Sequence, residues 1–122
     1  MAFTAKISVA LRLLDTNLTE LFNLGWSQLE KTLAGADWIY RSQVIGSAAE
    51  ALDIGEIGIA GYMICRNAGP TDTISLRIGS GGADLIKLAV NDIAVFPLAA
   101  ATPYAIASST NSPVLQYAIL EA

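Results

Sequence analysis

The chain contains no histidine and a single cysteine, Cys65. Without histidine, the commonest general base, the catalytic triads built on it and most zinc sites are absent. A lone cysteine excludes an internal disulfide and any Cys-x-x-Cys metal motif. Charge is also scarce. Charged residues make up 15% of the chain, 7 basic against 11 acidic, for a net charge of −4. The basic residues are scattered and the isoelectric point is near 4.5, which leaves no electrostatic footprint for nucleic acid. Long hydrophobic runs are missing too. A membrane-spanning helix needs roughly 20 consecutive apolar residues. The longest candidate, Ile93 to Ala101, contains Pro97. The residues after Met1 show no basic region followed by an apolar stretch, so no signal peptide is expected. These absences predict a soluble protein made in a cytosol, where one unpaired cysteine is at home.

What is present is apolar surface. Of 122 residues, 53% are hydrophobic, and the mean hydropathy is +0.50. That is ample to offset chain entropy, so disorder is excluded. The length suits one domain, 1–122. With few charges to cover the outside, some apolar surface should remain for a partner. Self-association as a homodimer or homotrimer is expected.

Alternation is the dominant pattern. In Lys6–Leu13 one face reads Ile7, Val9, Leu11, Leu13 and the other Lys6, Ser8, Ala10, Arg12. Strands project successive side chains to opposite faces, so this reads as a half-buried strand. Thr73–Ile78, Asp84–Leu88, Ile93–Phe96 and Val114–Leu120 repeat the pattern. Trp38–Ile45 and Ile59–Arg66 are rich in β-branched and aromatic residues. The expected core is Ile7, Val9, Leu11, Ile74, Leu76, Ile78, Leu88, Val95, Tyr117 and Ile119. Between the runs lie Asn67–Asp72, Gly79–Gly82 and Asn91–Asp92, all turn chemistry. Pro97, Pro103 and Pro113 belong at strand starts, edges or loops. Many short strands predict an all-β chain with little helix, an antiparallel β-sandwich or jelly roll.

One segment reads differently. Leu18, Leu21, Phe22, Trp26, Leu29 and Leu33 recur at spacings of three and four, Asn17 and Glu20 imitate a capping box, and Gly35 stands where a C-terminal cap would. Taken alone, 18–34 is an amphipathic helix, with Gly25 against it at about 1 kcal/mol relative to Ala.

No constellation specifies an enzyme. Gly79-Ser80-Gly81-Gly82 is not followed by Gly-Lys-Ser/Thr and a helix, so it reads as a hairpin turn and not a phosphate loop. Asp53 and Glu56 flank Gly55. As a carboxylate pair they have the groups for glycoside hydrolysis, but beside glycine they read as turn residues. Asp72, Asp84 and Asp92 adjoin turns and lack calcium-loop spacing. Cys65, without an activating base, reads as a buried small hydrophobe. Trp26, Trp38 and Tyr40 have the side chains of a sugar platform, but at strand positions they read as core.

Sequence motifs point further. Val44–Ile57 contains Ile45-Gly46-Ser47 and Glu50-Ala51-Leu52-Asp53-Ile54-Gly55-Glu56; Gly61–Asn67 and Ser75–Gly79 follow. Then come Leu85–Leu98, Pro103–Ala107 and Leu115–Glu121. In this order they resemble a widespread family of small tailed-bacteriophage proteins whose middle reads "QxIGTxxEALDLGDV", "GYAFFRNLD" and "FVQIG". The family continues with "FxKLKxGExAVxRL" and "PYAKA". The likeness covers 38–122 well and the first third loosely, so 1–37 stands apart as an arm or partner-binding segment. The usual Lys-x-Gly-Glu turn is here Ala89-Val90-Asn91-Asp92, and the basic position of "PYAKA" is Ile106.

The resemblance implies a non-enzymatic virion structural protein with a β-sandwich fold. No catalytic, cofactor-binding or metal residues are expected, and neither nucleic acid nor membrane as partner. The leading expectation is a capsid decoration, or cement, protein bridging major capsid proteins. The alternative is a tail, neck or baseplate component or a small host-contact module. The resemblance also turns 18–34 from a helix into two strands joined near Asn23–Gly25. Met1 to about Lys6 or Leu18–Leu33 is expected either to supply an arm toward a neighbour or to complete the sandwich.

Overall fold

A computed structural model describes residues 3–35, 37–99 and 101–122; Met1 and Ala2, part of the expected arm, lie outside the described residues. The alternating runs form β1 (Phe3–Leu14), β2 (Glu20–Leu33), β3 (Trp38–Val44), β4 (Glu50–Ala51) and β5 (Ala60–Asn67). They are followed by β6 (Ile74–Ile78), β7 (Ile86–Leu88), β8 (Ile93–Pro97), β9 (Pro103–Ala107) and β10 (Val114–Glu121). Among the described residues there is no helix.

Strands β3 to β10 build two four-stranded antiparallel sheets, in the orders β3-β10-β5-β8 and β4-β9-β6-β7. The pairs β3/β10, β4/β9, β5/β8 and β6/β7 are those of one long hairpin that turns between β6 and β7. Rolling that hairpin up adds the remaining pairs, β10/β5 and β9/β6. This is a jelly roll, and the all-β sandwich is as the alternation predicts.

One parity of each strand fills the space between the sheets. Met63, Cys65, Ile74, Leu76, Leu88, Leu115, Tyr117 and Ile119 are buried there with Ile45, Leu52 and Ile57. Of the expected core, Ile74, Leu76, Leu88, Tyr117 and Ile119 take these places. Val95 does not. The register pairs it with Ile64, so Ala94 and Phe96 point inward instead. Ile78 has the inward parity of Ile74 and Leu76, but it ends its strand opposite Pro103 and stays exposed. Val9 and Leu11 are exposed and Ile7 only half-buried, because β1 does not enter the sandwich.

β1 and β2 instead form their own two-stranded sheet. Neither a helix nor a break near Gly25 is found. β2 runs unbroken from Glu20 to Leu33, and the chain reverses at 15–19. There the Asp15 carboxylate accepts from the N–H groups of Asn17 and Thr19, and Leu18 takes a φ of 62°. Gly25 pairs with Ala10, and a Cβ on it would stand 3.3 Å from the Val9 carbonyl oxygen. Its role is close approach, not turning. The helical spacing has a physical origin. The register shifts between Ile7/Leu29 and Val9/Trp26, where Gln28 has a φ of 58° and donates its N–H to Ser8 Oγ. A bulge there changes the parity of β2, so Trp26 and Leu29, three apart, share a face.

Candidate interaction surface

The hairpin is amphipathic across its two faces. Cross-strand pairs Ile7/Leu29, Val9/Trp26, Leu11/Leu24 and Leu13/Phe22 align on one side. From Val9 to Leu29 every one of these is more than 40% exposed, with Leu11 at 62% and Trp26 at 54%. The opposite side carries the ion pairs Lys6–Glu30 at 3.9 Å and Arg12–Glu20 at 3.0 Å. Both pairs are exposed and contribute little to stability. Alternation therefore builds a face that none of the described residues covers.

The β3-β10-β5-β8 sheet has a second uncovered apolar face, turned away from the core. Its rows read Trp38-Leu120-Tyr62-Pro97 and Tyr40-Ala118-Ile64-Val95. Trp38 and Tyr40 are each 65% exposed, and Ile93 extends the patch at its edge. The hairpin meets this face only at its root. Ala5, Ile7, Tyr62, Ile64, Val95 and Leu120 line a groove of about 370 Å³ between them. Gly35 fixes the root: any side chain there would collide with Glu121 and come within 2.7 Å of the Ala122 carbonyl oxygen. Trp26, Trp38 and Tyr40 are thus surface residues, not core. Trp38 and Tyr40 share the sheet face, while Trp26 stands on the hairpin.

The polar clusters are internally satisfied. Asn67 is fully buried. Its amide donates to the carbonyls of Asp72 and Leu88 at 2.9 Å, and its side-chain oxygen accepts the Gly69 N–H. It ties the 67–72 loop to β7. Tyr117 donates its hydroxyl to the Asp53 carbonyl at 2.7 Å and lies 3.1 Å from Gln43 Oε1. Burial, reinforced by the Asp53 charge, pushes its phenol up to about 12. Asp53 also accepts the Gly55 N–H and pairs with Arg41 at 3.3 Å, an Asx turn holding the 52–57 loop against β3. Glu56 is exposed with no comparable role. Asp72 accepts from Ser109 and Asn111, and these bonds hold its carboxyl below the usual range. Asp84 pairs with Arg77 at 2.6 Å, and Asp92 accepts the Ala89 N–H in the 89–92 turn. Asp53, Asp72, Asp84 and Asp92 each brace a turn.

Cys65 is buried, and burial raises its thiol to about 11, far from thiolate reactivity at neutral pH. Among the described residues no group of three or more Cys, Asp or Glu side chains is placed to hold a metal ion. No buried side-chain polar atom lacks a partner there. The 79–82 segment is the β6–β7 turn, with the Gly82 N–H donating to the Gly79 carbonyl at 3.3 Å. Comparison of the chain with family models, curated proteins and solved structures gives no match in any of the three.

Proposed function

We propose that the chain is a non-enzymatic bacteriophage virion structural protein, a decoration protein that cements the head by bridging neighbouring major capsid proteins. The observation that carries the reading is the hairpin: a long arm whose apolar face is left open by its own chain. Such a surface is a binding element before it is anything else. The jelly roll supports the reading by analogy, since viral shells are among its common uses. The resemblance over 38–122 supports it from the side of sequence. A shell subunit draws its energy from buried area repeated around the particle, so each contact can be modest.

A tail, neck or baseplate role is the second reading, favoured by the exposed pair Trp38 and Tyr40, which would suit a host-contact surface. Copy number in purified virions separates the two. Hundreds per particle support the shell, and a few to a few dozen support the tail. Particles lacking the protein should then release DNA at lower temperature while tails stay attached. Loss of tails or of adsorption, with heat resistance unchanged, would replace the cement reading by the tail one.

A further inference from the structure

We infer that a second copy of this chain covers the hairpin: the apolar face of β1–β2 in one molecule packs on the outer face of the β3-β10-β5-β8 sheet of another, and the exchange is mutual. The inference rests on reading the chain as an assembling subunit and names where it assembles.

A two-stranded hairpin is at best marginally stable in water, so this one needs a surface to lie on. Its own body does not supply it. A 12-residue strand such as β1 spans about 40 Å, against about 26 Å for the 8 residues of β10. The root, from Thr4 to Ser8 and at Leu33, stands against the sandwich. The apolar residues beyond it, Val9 to Leu29, stay exposed.

The sheet face is the matching half. It is apolar, open except where its own hairpin root stands beside Tyr62, Ile64, Val95 and Leu120, and free of acidic residues in its central rows; its one basic residue, Arg66, is bonded to Asn91. From the exposures, the hairpin face offers about 700 Å² of surface and the sheet face about 600 Å². A mutual exchange covers both faces twice, above the roughly 2,000 Å² at which obligate homodimers begin. A contact of the hairpin alone with a capsid protein would leave the sheet face bare, so on this reading the dimer and not the single arm is the unit that bridges the shell. A two-fold makes the same contact twice and leaves neither.

The test uses the full chain and two double variants. Leu11→Glu with Leu24→Lys puts an opposite-charge pair on the hairpin face and keeps its strands paired. Tyr40→Glu with Ile64→Lys puts opposite charges on the sheet face, one on either side of Ala118. Folding is checked by far-ultraviolet circular dichroism and by a Cys65 thiol that stays unreactive. Analytical ultracentrifugation should find the wild type dimeric at micromolar concentration. Both variants should dissociate, with dimerisation weakened roughly 100-fold or more. A wild type that is monomeric at about 100 μM would overturn the inference, as would two variants that remain dimers. A dimeric sheet variant beside a monomeric hairpin variant also overturns it, since hairpins would then be pairing with each other. A trimeric mass overturns the mutual exchange. The virion reading fails separately, by absence of the protein from purified particles, and that result leaves the dimer standing.

Discussion

Replacing Asn67 by Leu should be among the most damaging single changes available in this chain. The two side chains are close in size, so packing is nearly conserved and the loss is polar. The substitution strands the Gly69 N–H and the carbonyls of Asp72 and Leu88. Each buried group left unpaired costs about 1–3 kcal/mol. With partial relaxation the sum is about 3–5 kcal/mol, against a total stability of about 5–15 kcal/mol for a domain. Asn67→Asp separates donor from acceptor. The carboxylate still accepts from Gly69 but opposes two carbonyls. Those carbonyls favour its protonated form, so its folded pKa lies above the unfolded value of about 3.9. Its contribution is then present below pH ~4 and is lost as pH rises through the folded value. The variant should regain stability in mild acid, relative to the parent. The assay is urea denaturation followed by circular dichroism. Tryptophan emission is a poor reporter of the sandwich, because Trp26 and Trp38 both lie outside its core. An Asn67→Leu midpoint within about 0.5 kcal/mol of the parent would refute the reasoning.

Three further outcomes follow from the same geometry. Leu76→Ala, in the core at 3% exposure, should cost about 2–5 kcal/mol in thermal or urea unfolding, whereas Lys87→Ala, exposed on β7, should move stability by less than about 0.5 kcal/mol. The Tyr117 phenol lies at about 12 in the fold, above its ordinary 10; its contribution to stability is therefore intact below pH 10 and is lost between 10 and 12, and spectrophotometric titration should find one late-titrating tyrosine that Tyr117→Phe removes. Cys65 should resist a thiol reagent at pH 8 in the native protein and react at once in denaturant, and fast labelling of the native chain would contradict its burial.

The strands were legible wherever one face is polar. Ser75 and Arg77 against Ile74 and Leu76 define the inward side of β6, and the alternation around Tyr117 and Ile119 does the same for β10. In β3 and β5 the pattern is silent, because Trp38-Ile39-Tyr40 and Tyr62-Met63-Ile64 are apolar on both faces. Which side turns inward is set by register with β10, more than 50 residues away in sequence. In the hairpin, alternation correctly places Ile7, Val9, Leu11 and Leu13 on one face, but it does not say whether the chain covers that face. The helical spacing in β2 arises from a bulge, which no count of apolar positions distinguishes from a turn of helix. Asn67 was hidden differently. It looks like any loop residue until its three partners, scattered from Gly69 to Leu88, are brought around it. The exposed aromatic pair had one visible signal, a strand apolar on both faces, which means that one of the faces must look outward.

The position of β10 has a consequence for the order in which the molecule acquires structure. This strand lies inside its sheet, paired at once with β3 and β5, so neither neighbour has its full ladder until Val114–Glu121 is in place. The sandwich is therefore dominated by contacts between distant segments, the class of topology that folds on millisecond to second timescales. The hairpin is the opposite case: residues 3–33 pair only with each other, and hairpins zip in microseconds. Two clocks run in one chain. The apolar arm is free to zip before the body that will carry it, so its stripe is on display while β10 is still unpaired.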